Sequence, residues 1–200
     1  MAVADAVAKN WGDLPKIFEQ GVQTLPQLLI HQAKRFGNRT FHRKKDYGIW
    51  QCYSFNAVLD NVRTFAMGLA ALGIRRGETI GMIGENDPEL FWGEYAAQAL
   101  GAKAVCLYPD FTSAQMEYLL NHAEAVVMVC EDQEQVDKVL EIEDQLPLVH
   151  HIIYWDDKGM WKYQHHKMMT YRDVQELGRR HLQENPGQFN AEVAAEVQHG

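Results

Sequence analysis

A doubly wound α/β sheet is the fold class this sequence predicts, and three observations point to it. The runs Thr79–Ile83, 104–108 and 126–130 are near-continuously hydrophobic, as expected of parallel strands covered on both faces rather than strands with one wet face. Segments of helical period separate them. Strand starts at Glu78, Lys103, Ala125 and His150 recur at the spacing a βα unit needs, with right-handed crossovers. No residue-level repeat underlies that regularity, so it reflects architecture.

Residues 1–23 form a lead segment, and 24–75 read as a helix, a β-hairpin and a long helix ahead of the α/β subdomain 76–200. In 25–36, Leu25, Leu28, Leu29, Ala33 and Phe36 fall on one helical face; Thr24 is the N-cap, Pro26 lies in the first turn and Gly37 is the stop. Strands at 39–45 and 49–53 then flank Asp46, Tyr47 and Gly48, which suit a three-residue hairpin turn. Arg43, Lys44 and Lys45 mark the first of these strands as an edge or surface strand. Ser54 caps a helix running to Leu72, and Gly73 ends it.

Further helices are expected at 88–100, 113–123 and 133–146, the last stopped by Pro147. Polar, glycine-containing 156–167 reads as a loop, Thr170 caps a helix to about Gln183, and Pro186-Gly187 precedes a short helix at 191–197. The acidic residues within 131–144 accompany Val136, Val139 and Leu140, and so read as a solvated helix face.

With 200 residues, the chain can hold one substantial core, or one domain and an incomplete second. Lys and Arg number 19 against 27 Asp and Glu, giving a formal charge of −8, and no dense basic tract offers a nucleic acid surface. No apolar run approaches the ~20 residues that span a bilayer, and the start lacks a secretory leader pattern, so a soluble cytoplasmic protein is expected. Cys52, Cys106 and Cys130 sit in apolar strand-like context and read as small buried hydrophobes in a reducing compartment.

Candidate site residues lie where the strands end. Gly84, Glu85, Asn86 and Asp87 lead into a helix with Asp87 as cap and Pro88 at its first position. A nucleotide-binding fold would hold phosphate there, yet the glycine spacing is wrong for the dinucleotide fingerprint and the two acids repel anions. Helix initiation and close packing are the plainer role. Pro109 stops the next strand and leaves Tyr108 and Asp110 at the carboxyl edge of the sheet, where open α/β sheets bind ligands. A simple turn is the plainer sole role for Pro109 and Asp110. The pairs His150-His151 and His165-His166 suggest a metal, but adjacent strand residues face opposite ways, so no metal site is assigned. Trp11, Trp50, Trp92, Trp155 and Trp161 suit a hydrophobic ligand site and, more ordinarily, core packing. The common hydrolase, zincin, thioredoxin and P-loop motifs are absent from the sequence, and no catalytic residue is assigned.

Two stretches carry a resemblance. Tyr53-Ser54-Phe55 at the start of the long helix, and Leu100-Gly101-Ala102 with Leu107-Tyr108-Pro109-Asp110, resemble the first two core motifs of the adenylate-forming, AMP-dependent synthetase superfamily. Gly84 to Glu89 also matches, and Gly48-Ile49-Trp50-Gln51, residues 131–138 and residues 150–155 resemble bacterial long-chain fatty-acid CoA ligases. The resemblance implies a ligase that turns ATP and a fatty acid into acyl-adenylate and pyrophosphate, then releases AMP to coenzyme A, with Mg²⁺ assisting. The phosphate loop, the metal-contacting glutamate and the catalytic lysine of that family match no position here. The chain is therefore expected to be an inactive amino-terminal fragment, with ATP, Mg²⁺ and coenzyme A serving only the full-length parent. The resemblance also implies a second sheet, absent from this chain, beside the hairpin; the fragment is expected to expose apolar surface or self-associate. A long-chain substrate is compatible with peripheral contact at the inner membrane surface. The rival readings are a stand-alone flavodoxin-like or receiver-like binding module, and a scaffold that interacts through its acidic helix.

Overall fold

The computed structural model describes residues 21–195. Helix α1 (Leu25–Phe36) leads into an antiparallel hairpin of β1 (Thr40–Asp46) and β2 (Ile49–Ser54), followed by α2 (Phe55–Ala71). Alternation then begins: β3 (Thr79–Ile83), α3 (Pro88–Ala99), β4 (Lys103–Leu107), α4 (Ser113–His122), β5 (Ala125–Cys130), α5 (Gln133–Glu141), β6 (His151–Tyr154) and β7 (Met168–Thr170). Helices α6 (Tyr171–Glu184) and α7 (Gln188–Ala195) complete the described chain.

The five strands β3 to β7 form one wholly parallel sheet in the order β4-β3-β5-β6-β7. The chain leaves β3 toward β4, then returns across β3 to β5 and continues the other way. That reversal puts a topological switch between the carboxyl ends of β3 and β5. Apolar residues cover both faces. Ile80, Met82, Val127, Val129 and Ile153 share a core with residues of α1, α2, α3, α6 and α7, whereas Ile83, Met128, Cys130 and Ile152 meet residues of α4 and α5. Every residue of β3 is buried, which explains its unbroken hydrophobic run.

Local chemistry places the helices. Thr24, Ser54, Asp132 and Thr170 each accept a backbone N–H at a helix start, and Thr170 forms a reciprocal capping box with Asp173. Helices α2 and α6 pack backbone to backbone: a Cβ on Gly178 would fall 1.8 Å from the Thr64 carbonyl oxygen, and one on Gly68 would fall 2.0 Å from that of Val174. Beside this contact the Phe65 and Tyr171 rings stack at 3.8 Å. Gln175 donates to the Asn61 side chain at 2.8 Å, so the buried amide is partnered.

Several expectations need correction. The hairpin turn has two residues, because Asp46 pairs with Ile49, and Tyr47 and Gly48 both take positive φ (44° and 81°). That geometry matches the twist of the flanking strands. The helix expected over 133–146 breaks at Ile142 into α5 and a 3₁₀ turn, Glu143–Gln145. The strand Met168–Thr170 lies where loop gives way to helix cap, and 160–162 form a 3₁₀ turn inside the expected loop. The last helix begins at Gln188, directly after Gly187. Only Cys130 is a buried thiol; Cys52 and Cys106 are exposed, on the outer face of the hairpin and on β4 at the sheet edge. Trp92 is buried as expected, but Trp50 and Trp161 are exposed, and Trp11 lies outside the described residues.

Candidate functional site

At the switch, the chain leaves β3 through Gly84 and β5 through Glu131. The two turns interlock: the Glu131 N–H donates to the Ile83 carbonyl at 2.9 Å, and the Glu85 N–H donates to Glu131 Oε2 at 2.6 Å. A Cβ on Gly84 would lie 2.5 Å from the Trp155 ring and 2.7 Å from Glu131 Cβ, so only glycine fits. The Trp155 indole and the Glu131 side chain thus pack directly against this turn.

Asp87 stands at the N-cap position of α3, yet its carboxylate caps nothing. It accepts instead from Lys44 Nζ at 2.5 Å and from Trp155 Nε1 at 3.4 Å. One carboxylate thereby ties the hairpin, the start of α3 and the end of β6 together. Lys44 reaches it because strand alternation sends Arg43 and Lys45 outward and Lys44 inward. Around this ammonium the acids outnumber it. Burial pushes the Glu89 carboxyl above its ordinary value, and the neighbouring charges of Asp87 and Glu131 push the same way against the opposing pull of Lys44. Burial also raises Glu131. Burial opposes the charge on Lys44, but its hydrogen bond to Asp87 and the charges of Asp87, Glu89 and Glu131 outweigh that and raise its pKa. Beside these groups Trp92 Nε1 donates to His42 Nδ1 at 3.3 Å, and Tyr53 packs edge-on to Trp92 at 5.0 Å.

The five residues expected at the sheet edge divide into two places. Glu85 and Asn86 lie at the switch; Asn86 lines a 260 Å³ cleft with Phe41, His42, Arg43, Pro88 and Phe91. Tyr108, Pro109 and Asp110 follow the outermost strand, where Tyr108 is 73% exposed and meets Phe111 edge to face. The Pro109 carbonyl accepts from Lys138 of α5 at 2.6 Å, so this turn is bound to the opposite helical layer. Lys44, Glu89 and Glu131 belong to the switch and were not among the candidates read from sequence, and Trp155, noted there only as one of five tryptophans compatible with a ligand site or core packing, joins them. The in-phase placement of Lys44 with His42 in β1 is the signal that could have found it. His165 Nε2 sits 3.0 Å from Glu143, which also holds Lys167 at 2.9 Å, so that histidine already has a side-chain partner. Among the described residues no group of three or more His, Cys, Asp or Glu is placed to hold a metal ion.

The switch therefore provides no phosphate cradle. Beside Asn86, the side chains at the turn are acidic or aromatic, and the Lys44 ammonium is already bound to Asp87. ATP and Mg²⁺ do not fit the residues present here.

Comparison with known proteins places the fold. The profile of the AMP-binding enzyme family matches residues 29–191. A long-chain-fatty-acid–CoA ligase of Xenopus laevis, ACSBG2, is 27% identical over 169 residues, covering 82% of this chain and 23% of the ligase. Human ACSBG2 is 26% identical over 157 residues, covering 78% of this chain and 23% of the ligase. The crystal structure of an anthranilate CoA ligase, AuaEII, superposes with a TM-score of 0.67 at 21% identity, over 76% of this chain and 27% of that one. The chain thus spans about a quarter of the length of these relatives. Strand order alone would equally suit a flavodoxin-like module; the match over most of the helices and strands decides between the two, and the chain belongs to the AMP-binding enzyme family.

Proposed function

We propose that this chain is the amino-terminal part of a long-chain fatty-acid CoA ligase, an AMP-forming acid–thiol ligase that joins fatty acid and coenzyme A through an acyl-adenylate. The likeness to two such ligases across about four-fifths of the chain carries the reading. In this proposal ATP, Mg²⁺, fatty acid and coenzyme A are bound with residues beyond the present 200, and the chain alone is inactive. The acid-lined, indole-filled turn after β3 supports that division of labour. A stand-alone flavodoxin-like or receiver-like module is not favoured, because the family match spans the sheet and both helical layers.

ATP–pyrophosphate exchange with a long-chain fatty acid tests the proposal. Exchange is expected from a protein extended through the downstream gene sequence and absent from the chain alone. Exchange by the purified chain above a blank would overturn the inactivity, and none from the extended protein would overturn the ligase assignment. In the extended protein, Tyr108→Ala is expected to change kcat/KM while leaving Tm nearly unchanged, given that the ring is 73% exposed. The opposite pattern would make Tyr108 a packing residue.

A further inference from the structure

Helix α7 is too short to hold itself. Its eight residues fall below the length at which an isolated helix persists in water, so its place is set by what the rest of the fold supplies. One side is packed, with Phe189 and Val193 buried in the core shared by α1, α2, α3 and α6. Its first residue is tied to α6, where His181 Nε2 and Gln188 Oε1 share a hydrogen bond at 2.7 Å.

The carbonyls in the last turn of a helix have no intrahelical N–H four residues on to donate to them. In α7 two of them find donors far away in sequence: Arg76 Nη2 donates to the Glu192 carbonyl at 3.0 Å, and Gln27 Nε2 donates to the Val193 carbonyl at 3.3 Å. Both donors are themselves held. Gln27 Oε1 accepts the Gln23 N–H at 2.8 Å, which orients the amide and leaves its NH₂ group for α7. The Arg76 guanidinium occupies the space beside Gly101, where a Cβ would fall 2.1 Å from Nη1, and the Glu192 carboxylate stands 3.6 Å from Nη2. Arg76 thereby joins the entry to β3, the turn between α3 and β4, and the end of α7.

Burial of Phe189 and Val193 is non-directional and leaves the helix free to slide or roll on the core, whereas hydrogen bonds to two successive carbonyls fix the tilt and rotation of its last turn. They also fix its level in the fold. Arg76 stands just before Thr79, and Gly101 just before Lys103, so the end of α7 is held at the amino ends of β3 and β4. A strand entered from that end runs parallel to its neighbours and delivers its carboxyl end to the edge where open α/β sheets bind ligands. We infer that Arg76 and Gln27 are positioning residues of the ligase: they clamp the last turn of α7 and so set the direction in which the chain continues toward the residues that bind ATP and fatty acid. This inference rests on the ligase reading above, in which those residues lie beyond the present 200. Neither side chain touches substrate in this scheme; both act through α7.

Two measurements on the same variants test it. Arg76→Met and Gln27→Leu remove the donors and keep most of the bulk. In the present chain, amide exchange at Glu192 to Ala195 is expected to quicken by about fivefold in each single variant, the effect of one hydrogen bond, with α2 and β3 unchanged. In the protein extended through the downstream gene sequence, the double variant is expected to lose kcat for ATP–pyrophosphate exchange by roughly tenfold, with KM for ATP changed by about twofold or less and Tm nearly unchanged. Arg76→Lys, which keeps a donor and the charge, is expected to restore most of what Arg76→Met loses. Amides of α7 that exchange as in the parent would show that the clamp does not hold the helix. Unchanged kcat with loosened α7 amides, or a loss of kcat that merely follows Tm, would reduce the two residues to local stabilisers, and each of these results would overturn the inference. An extended protein without exchange even when Arg76 and Gln27 are in place would overturn the ligase reading instead, and the α7 amides would still decide the clamp.

Discussion

Asp87 shows how one side chain can leave a role that its position assigns to it. Sequence places it as the cap of α3, and the backbone does adopt that position, but the carboxylate is turned to Lys44 and Trp155. A half-buried ion pair beside two further carboxylates gains more from its hydrogen bonds than a cap would give, and removing one partner leaves the other buried unpaired. The surplus of acid has a signed consequence. Because the folded pKa of Glu89 lies above its ordinary 4.5, the folded state holds a proton that the unfolded chain has released. Stability therefore falls as pH rises from 4.5 through the raised pKa, and it recovers on acidification. Glu89→Gln removes that dependence: the variant is expected to be more stable than the parent at neutral pH, with the gain vanishing below 4.5. Urea melts at neutral and acid pH check this, and a gain of equal size at both would contradict it.

At the scale of elements, the contact of α2 with α6 welds the leading segment to the α/β subdomain. Gly68 and Gly178 let the two backbones touch, and a methyl group on Gly178 would fall 1.8 Å from a carbonyl oxygen. Gly178→Ala is accordingly expected to cost about 2–4 kcal/mol through forced separation of the helices, despite the better helix propensity of alanine. A urea midpoint unchanged within error would show that the helices can part freely. Sequence reading found both helices but not their closeness. A glycine inside a helix signals only that something approaches, and the partner is set by three-dimensional register. The hairpin turn differs for a related reason: Asp46 and Gly48 together suit a three-residue turn, and Tyr-Gly is not among the dipeptides that favour two positive φ angles, yet Asp46 pairs with Ile49.

Taken as a whole, residues 24–75 and the α/β part do not fold around separate cores. Val58, Val62 and Phe65 of α2 belong to the same buried cluster as Ile80 and Met82 of β3 and Val174 of α6. One cooperative unfolding transition is expected, with far-UV circular dichroism and tryptophan fluorescence superimposing. Two resolved transitions would restore a division near residue 75.

The sequence alone determined most of the elements and the parallel arrangement of β3 to β6. Continuous apolar runs can be satisfied only by strands buried on both faces, and Thr24, Ser54 and Thr170 announce helix starts through short-range hydrogen bonds. It also placed Glu85 and Asn86 just past a strand end; that this end borders the switch emerged only with the strand order. Tertiary structure decided what each edge residue touches. Lys44 and Asp87 are 43 positions apart, and Trp155 lies 68 beyond Asp87. No local pattern encodes such meetings, because they depend on the order in which parallel strands are laid side by side and on which way each pleat faces the body.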